Sequence, residues 1–370
     1  MLSRSSRLKA GDWVEVRSKA EILSTLDRDG CLEGMPFMPE MFAFCGKRFQ
    51  VYKRAHKTCD TVFPVRGRRV DHAVHLDTRC NGSAHGGCQA TCLLFWKDAW
   101  LKPIAEVASN ASGKPPAVLV FSKASSGCTE SDVWRRTTDP NTPDLDPTYV
   151  CQATRLPYAS TDLNWWDVRQ YIEDYRSGNV GLWRIICGVT YFLYLGISKL
   201  NGRIGNWMRD GYDRLHPLWS GSPFPRRMGM VPEKQHTPTA SLGLQPGELV
   251  RIKSHEEILE TLNSRNTNRG LYFDAESVPY CGGTYRVLKQ VTKIINESTG
   301  RMQEMKTPCV ILDTVVCQSR YSECRLFCPR SIYPYWREIW LERAKPQKSK
   351  PDFNDVAQAS PATECVGSGS

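Results

Sequence analysis

The chain has 370 residues, of which 41% are hydrophobic and 24% are charged. This composition is typical of globular proteins and excludes a wholly disordered or fibrous chain. The length is sufficient for two or three domains with a core each. A formal net charge of +10 favours anionic partners such as nucleic acid, another anionic polymer or a membrane surface.

Part of the positive charge is clustered in the first hundred residues. A solvated basic face explains such clusters as well as a binding surface does. The two clusters are Lys53, Arg54 and Lys57, and Arg66, Arg68 and Arg69.

Fifteen cysteines are too few for a disulfide scaffold of this length. The first 16 residues contain no apolar stretch of the length that a secretory signal requires. We therefore expect a cytoplasmic, reducing location, with membrane association as an alternative considered below. In a reducing compartment, clustered cysteines bind metal or react more often than they form structural disulfides.

An internal repeat organises the chain. Residues 11–57 match residues 247–293 without a gap at an offset of 236, with 16 identities in 47 positions. Each copy begins with an alternating apolar run, Val14 and Val16 in the first copy, which predicts a half-buried strand.

A short helix is predicted directly after this strand in both copies. Its start is marked by a serine with a glutamate three residues later, Ser18 with Glu21 and Ser254 with Glu257. This spacing forms a capping box, in which the two side chains satisfy free backbone amides at the beginning of a helix.

The later part of each copy predicts further strands, FQVYK and AVHLDT in the first copy and YRVLK and CVILDT in the second. NESTG at 296–300 predicts a hairpin turn, and both copies end on a tryptophan-rich segment, FWKDAWL or YWREIWL. The sequence therefore predicts an α+β fold with two homologous, small, β-rich modules over 10–104 and 247–345. Each module contains a short helix and a cysteine-rich loop, and an SH3-like barrel is one candidate topology.

Four cysteines occupy matching positions in the two modules. Four thiolates complete a tetrahedral zinc site, and the final CxxxC pair of each set has a spacing seen among structural zinc ligands. His85, in the loop of the first module only, can replace one thiolate there. The matched pairs are Cys45 with Cys281, Cys80 with Cys317, Cys88 with Cys324, and Cys92 with Cys328.

Zinc is the first choice of metal because thiolate-rich, closed sites suit it, and an iron–sulfur cluster is the alternative for four thiolates. Two other uses of the cysteines remain open, namely inert burial as small apolar side chains and redox or disulfide chemistry.

The middle region, 105–215, has no second copy. PAVLVF at 116–121 predicts a buried strand, and helices are predicted at 165–175 and 180–199. Cys128 and Cys151 flank a loop rich in proline and aspartate, and they can form a further metal-binding pair or supply a nucleophile.

The helix predicted at 180–199 has a stretch without charge that is too short to span a bilayer. A buried core helix and an interfacial membrane helix are both compatible with it. Residues 216–246 are rich in proline, glycine and serine and predict a linker, while 346–370 predict a disordered tail with a free thiol at Cys365.

Three functions are consistent with this sequence, which lacks the common nucleotide-binding, hydrolase, zinc-protease and kinase signatures. The first is an accessory or binding protein whose two metal-stabilised modules bind a protein or an anionic partner. Nucleic acid is one such partner, although no stacking motif or groove-reading helix supports it. The second is a biosynthetic metalloenzyme with iron–sulfur or catalytic zinc chemistry, in which the extra Cys59, His75 and His85 favour the first module. The third is a peripheral membrane protein held through 180–199.

Overall fold

The computed structural model describes residues 7–63, 66–104, 127–143, 145–198, 203–215, 222–322 and 324–344. Two curled antiparallel sheets, one in each predicted module, are joined by a helical region. The helices are α1 Lys19–Leu23, α2 Glu130–Arg135, α3 Gln152–Arg155, α4 Arg169–Arg176, α5 Leu182–Ser198, α6 Arg203–Leu215 and α7 His255–Leu259.

The first sheet has the strand order β8-β7-β4-β1-β9, and the second has the order β15-β14-β11-β16. The strands of the first are β1 Trp13–Val16, β4 Arg48–Arg54, β7 Ala73–Arg79, β8 Leu93–Lys97 and β9 Leu101–Pro103. The strands of the second are β11 Leu249–Ile252, β14 Thr284–Ile295, β15 Met302–Leu312 and β16 Leu341–Arg343. The described residues also form three small sheets. The first contains β2 Cys31–Leu32 and β3 Met35–Pro36, and the second contains β5 Lys57–Cys59, β6 Gly67–Arg69 and β10 Thr161–Leu163. The third contains β12 Thr267–Asn268 and β13 Leu271–Tyr272.

The two large sheets agree in register as well as in order. Val14 pairs with Phe49 in the first sheet, and Val250 pairs with Tyr285 in the second, both at the offset of 236 seen in the sequence. The second sheet replaces β8 with a single bridge between Val310 and Trp336. The predicted hairpin turn at 296–300 connects β14 to β15.

Both predicted capping boxes are formed. Ser18 and Glu21 cap α1, and Ser254 and Glu257 cap α7, with the side chain of each residue bonded to the backbone amide of the other. The helices are short, and each has an isoleucine buried against its sheet, so packing rather than helix propensity stabilises them.

The tryptophan-rich segments form the two cores. Phe37 contacts Trp100 edge to face at 5.1 Å between ring centroids, and Phe273 contacts Trp340 at 5.2 Å. The indole N–H of Trp100 donates to Thr25 Oγ1 at 3.1 Å, as that of Trp340 does to the corresponding threonine, Thr261, at 2.9 Å. These buried donors are thus satisfied in the same way in both modules.

The middle region packs onto the second module through α5. Phe327 contacts this helix at Gly188, where a Cβ atom would lie 2.4 Å from the phenylalanine ring. No helix within the described ranges is both long and apolar enough to pass through a bilayer. The predicted strand 116–121 and the predicted tail 346–370 lie outside the described residues.

The predicted linker is described from residue 222 onwards and contains no helix or regular strand. Its later part lies against the second module, because Leu244 belongs to the core of that module and the side-chain amide of Asn268 donates to the carbonyl oxygen of Pro238 at 2.9 Å. Phe224 instead packs on Tyr194 of α5 and Tyr212 of α6.

Candidate metal centre

A small cavity lies beneath the cysteine-rich loop of the first module. Its volume is about 30 Å³, which is enough for an ion or one or two water molecules but not for a substrate. Its lining combines thiols with apolar side chains and two basic groups. The thiols belong to Cys80, Cys88, Cys92 and Cys151, and the two basic groups belong to His85 and Arg330.

Three separate segments bring these cysteines together. Cys80 directly follows β7 and Cys92 directly precedes β8, and the amide of Cys80 donates to the carbonyl oxygen of Cys92 at 2.9 Å. This bond closes the loop that contains Cys88. Cys151 comes from the middle region, where it caps the N-terminus of α3.

The loop requires glycine at position 82. Gly82 has a positive φ of 74°, and a Cβ atom there would lie 2.0 Å from the carbonyl oxygen of Cys88. A side chain would therefore displace Cys88 from the cavity wall.

A buried carboxylate and a histidine hold the same loop. Glu40 Oε1 accepts from His85 Nδ1 at 2.8 Å and from the amide of Ala84 at 3.2 Å, with the thiol of Cys80 at 3.8 Å. Among the described residues, Glu40, Cys80 and His85 are the one group of three possible ligands whose donor atoms all lie within 4.8 Å of one another.

The two nitrogens of His85 are both engaged in this arrangement. Nε2 lies 3.1 Å from the carbonyl oxygen of Val150, and since a carbonyl only accepts, Nε2 is the donor. His85 therefore positions the loop as it stands. Glu40 Oε2, in contrast, is buried without a hydrogen-bond partner, an arrangement that a nearby cation would stabilise.

The electrostatics of the cavity depend on burial. Burial raises the pKa of the Cys92 thiol to about 12 and that of Cys151 to about 11. Burial also opposes ionisation of Glu40, but the hydrogen bond and charge of His85 outweigh it and hold the pKa of this carboxyl below its ordinary value. These thiols are thus protonated at neutral pH unless a bound cation stabilises their thiolates.

The first cysteine of each predicted set lies elsewhere. Cys45 follows a 3-10 helix, Pro39–Phe44, and interacts electrostatically with Lys19 and Glu130. Cys281 follows the equivalent 3-10 helix and is near Glu256. Within the described ranges, no three of the four matched cysteines in either module have sulfurs within 4.8 Å of one another.

The second module places its glutamate differently. Glu276, which corresponds to Glu40, accepts from the amide of Arg320 at 2.9 Å through Oε2, and from the amide of Tyr321 and the hydroxyl of Ser322 through Oε1. Both oxygens are therefore satisfied by the loop itself. Cys317 is half-buried and interacts electrostatically with this carboxylate, and Cys328 lies against Cys59 of the first module.

His75 belongs to the core rather than to the cavity. It is fully buried, its Nδ1 lies 2.8 Å from the carbonyl oxygen of Leu94, and its ring centroid is 4.5 Å from that of Phe95. Burial lowers the pKa of this histidine to about 3. It is therefore a neutral packing residue.

The basic clusters are largely used inside the protein. Arg54 makes two hydrogen bonds to Asp98 at 2.9 and 3.0 Å, and Lys57 contacts Asp174 at 2.6 Å. Arg68 contacts two aspartates, Asp60 at 3.3 Å and Asp162 at 2.9 Å. These ion pairs neutralise charge that the sequence alone assigns to a basic face.

No local pattern in the sequence indicates that Glu40 and Cys151 are neighbours of the matched cysteines. Glu40 is one of the 16 identities of the repeat, whereas Cys151 has no counterpart in the second module. Every described cysteine is a free thiol, so the arrangement permits metal binding or thiol chemistry in this small cavity. Comparison of the chain with protein families, curated proteins and solved structures gave no match.

Proposed function

We propose that the first module binds a zinc ion through Cys80, Cys88, Cys92 and Cys151. All four of these residues line one cavity, which supports this assignment. No three of their sulfurs lie within 4.8 Å of one another, so the thiols must approach one another when the ion binds. Four soft thiolates suit zinc, and a cavity of about 30 Å³ favours a single ion over a multi-iron cluster. Glu40 and His85 hold the loop in place beside the ion.

We further propose that this zinc is structural and that the chain is an accessory or binding protein. A catalytic zinc keeps a position open to water and substrate, whereas this cavity is too small for a substrate. The equivalent registers, caps and aromatic contacts of the two modules support their origin by duplication and a tandem binding role.

Zinc analysis of two serine variants tests the ligand set. Cys151→Ser is expected to lower the zinc content of the purified protein by one equivalent, since it removes a thiol from the cavity. Cys45→Ser is the matched control and is expected to retain all zinc. Loss of zinc in Cys45→Ser with retention in Cys151→Ser would favour the ligand set obtained by aligning the two modules.

A second candidate function, attachment to a membrane surface, is favoured by the exposed side of α5. Large apolar side chains occur along one face of this helix at helical spacing, and they cover enough length to form a stripe. The exposed members are Leu182 (58% exposed), Trp183 (76%), Ile186 (47%), Val189 (43%), Leu193 (62%) and Ile197 (48%).

Vesicle flotation tests this attachment. The protein is expected to float with anionic phospholipid vesicles, and Leu193→Asp is expected to reduce the floated fraction at least tenfold. Leu145→Asp serves as the control because Leu145 is fully exposed and lies outside the stripe. A wild-type protein that stays at the bottom of the gradient would rule out attachment.

A further inference from the structure

A second group of cysteines lies where the two modules meet. Cys59, at the end of β5 in the first module, is 7% exposed, and Cys328 of the second module is 4% exposed. The amide of Cys59 donates to Cys328 Sγ at 3.1 Å, and the two thiols also interact electrostatically. The first module therefore supplies a thiol to the cysteine-rich loop of the second.

The other two cysteines of that loop belong to segments that lie beside this pair. Cys317 is half-buried and interacts electrostatically with both sulfurs. Gly67 pairs directly with Cys59 across β5 and β6, and a Cβ atom on Gly67 would lie 3.8 Å from the carbonyl oxygen of Cys324. The backbone at Cys324 thus runs beside the strand pair that contains Cys59.

At the first cavity, the second module in turn donates a backbone hydrogen bond to a cysteine of the first module. The amide of Ile295, at the end of β14 in the second module, donates to Cys88 Sγ at 3.3 Å. Ile295 is the residue that corresponds to Cys59 at the offset of 236. Each module therefore directs the same backbone amide at a sulfur of the other, and such N–H to sulfur bonds commonly support metal-bound thiolates.

We propose that Cys59, Cys317, Cys324 and Cys328 bind a second zinc ion that joins the two modules. The inference rests on the proposed metal-binding function. It adds a new ligand, because Cys59 replaces Cys281, which the alignment of the two modules assigns to the second metal site. In the first site, Cys151 takes the place of Cys45 in the same manner. Binding deprotonates the four thiols, and their protons pass to solvent.

The charge around this second site is suited to thiolates. Arg330 is buried and lines the first cavity. Its guanidinium donates to Glu297 at 2.9 Å and also interacts electrostatically with Cys59 and Cys92. A zinc ion with four thiolates has a net negative charge, which this guanidinium, shared with Glu297, offsets in part. Thiolates of a tetrahedral zinc site lie about 3.8 Å apart. Cys317 must therefore approach the other two sulfurs on binding, since these three are not all within 4.8 Å of one another.

Zinc stoichiometry of the full chain tests this inference. Wild-type protein reconstituted with zinc alone is expected to retain two equivalents after gel filtration. Cys59→Ser is expected to retain one equivalent, whereas Cys281→Ser, the matched control, is expected to retain two. Cys59→His restores a zinc ligand and is expected to recover the second equivalent, which a purely structural role for this cysteine would not produce.

The failures of the two proposals differ. The second site is overturned, and the first is kept, if wild-type protein binds one equivalent of zinc that Cys59→Ser retains and Cys151→Ser loses. Wild-type protein with no zinc overturns both. If Cys59→Ser does not fold, the zinc content of the wild-type chain is measured with a chromophoric chelator under denaturing conditions. Release of only one equivalent of zinc overturns the inference.

Discussion

Removal of zinc by a strong chelator is expected to lower the thermal midpoint of unfolding by about 8–16 °C. A ligand bound only by the folded state at a thousand times its Kd contributes about 4 kcal/mol. For a cooperatively unfolding unit of about 150–250 residues, each kcal/mol of lost stability lowers the thermal midpoint by about 2–4 °C. The thiols of Cys92 and Cys151 would then be protonated, and the loop between β7 and β8 would lose its central contact.

Scanning calorimetry with and without the chelator measures this change. Adding zinc back is expected to restore the midpoint, whereas magnesium, which prefers oxygen ligands, is expected to have no effect. An unchanged midpoint in protein shown to contain no zinc after chelation would contradict a structural role for the ion.

Substitution of Asp174 by alanine is expected to destabilise the protein by about 3–5 kcal/mol. Asp174 is fully buried on α4, and its Oδ2 lies 2.6 Å from Lys57 Nζ. Lys57 Nζ also donates to the carbonyl oxygen of Leu326 at 2.8 Å, so this group connects β5, α4 and the second module. Without Asp174, the ammonium group stays buried without a counter-charge.

Urea unfolding of Asp174→Ala measures this cost. The double variant Lys57→Met with Asp174→Leu is the control, because replacing a buried ion pair by apolar side chains is often neutral or stabilising. We therefore expect the double variant to be more stable than the single one. A loss below about 1 kcal/mol in Asp174→Ala, the range of an exposed pair, would show that this pair does not connect the modules.

The strands and caps of each module could be predicted from the sequence because they depend on local patterns. Ser18 and Glu21 are three residues apart, and their capping box needs no information from the rest of the chain. The helix predicted at 165–175 begins only at Arg169, because Asp167 and Asn164 form a turn and Trp165 packs on Phe192 of α5 at 5.1 Å.

The neighbours of the matched cysteines depend on contacts between distant segments, and here sequence pattern is insufficient. Cys151 reaches the first cavity only because α3 packs beside β3, and Cys59 reaches Cys328 across a separation of 269 residues. The segment CQAT occurs at Cys88 and again at Cys151, and the structure places both cysteines on one cavity. Alignment of the modules, in contrast, pairs Cys45 with Cys281 because both follow the same local turn.

X-ray absorption at the zinc edge of the purified protein tests the central claim most directly. We expect a first shell made of four sulfur atoms at about 2.3 Å per zinc ion. In Cys151→Ser, the average sulfur number is expected to fall or the zinc content to drop. A zinc ion coordinated mainly by oxygen or nitrogen, or a protein without bound zinc, would contradict a thiolate metal centre in this chain.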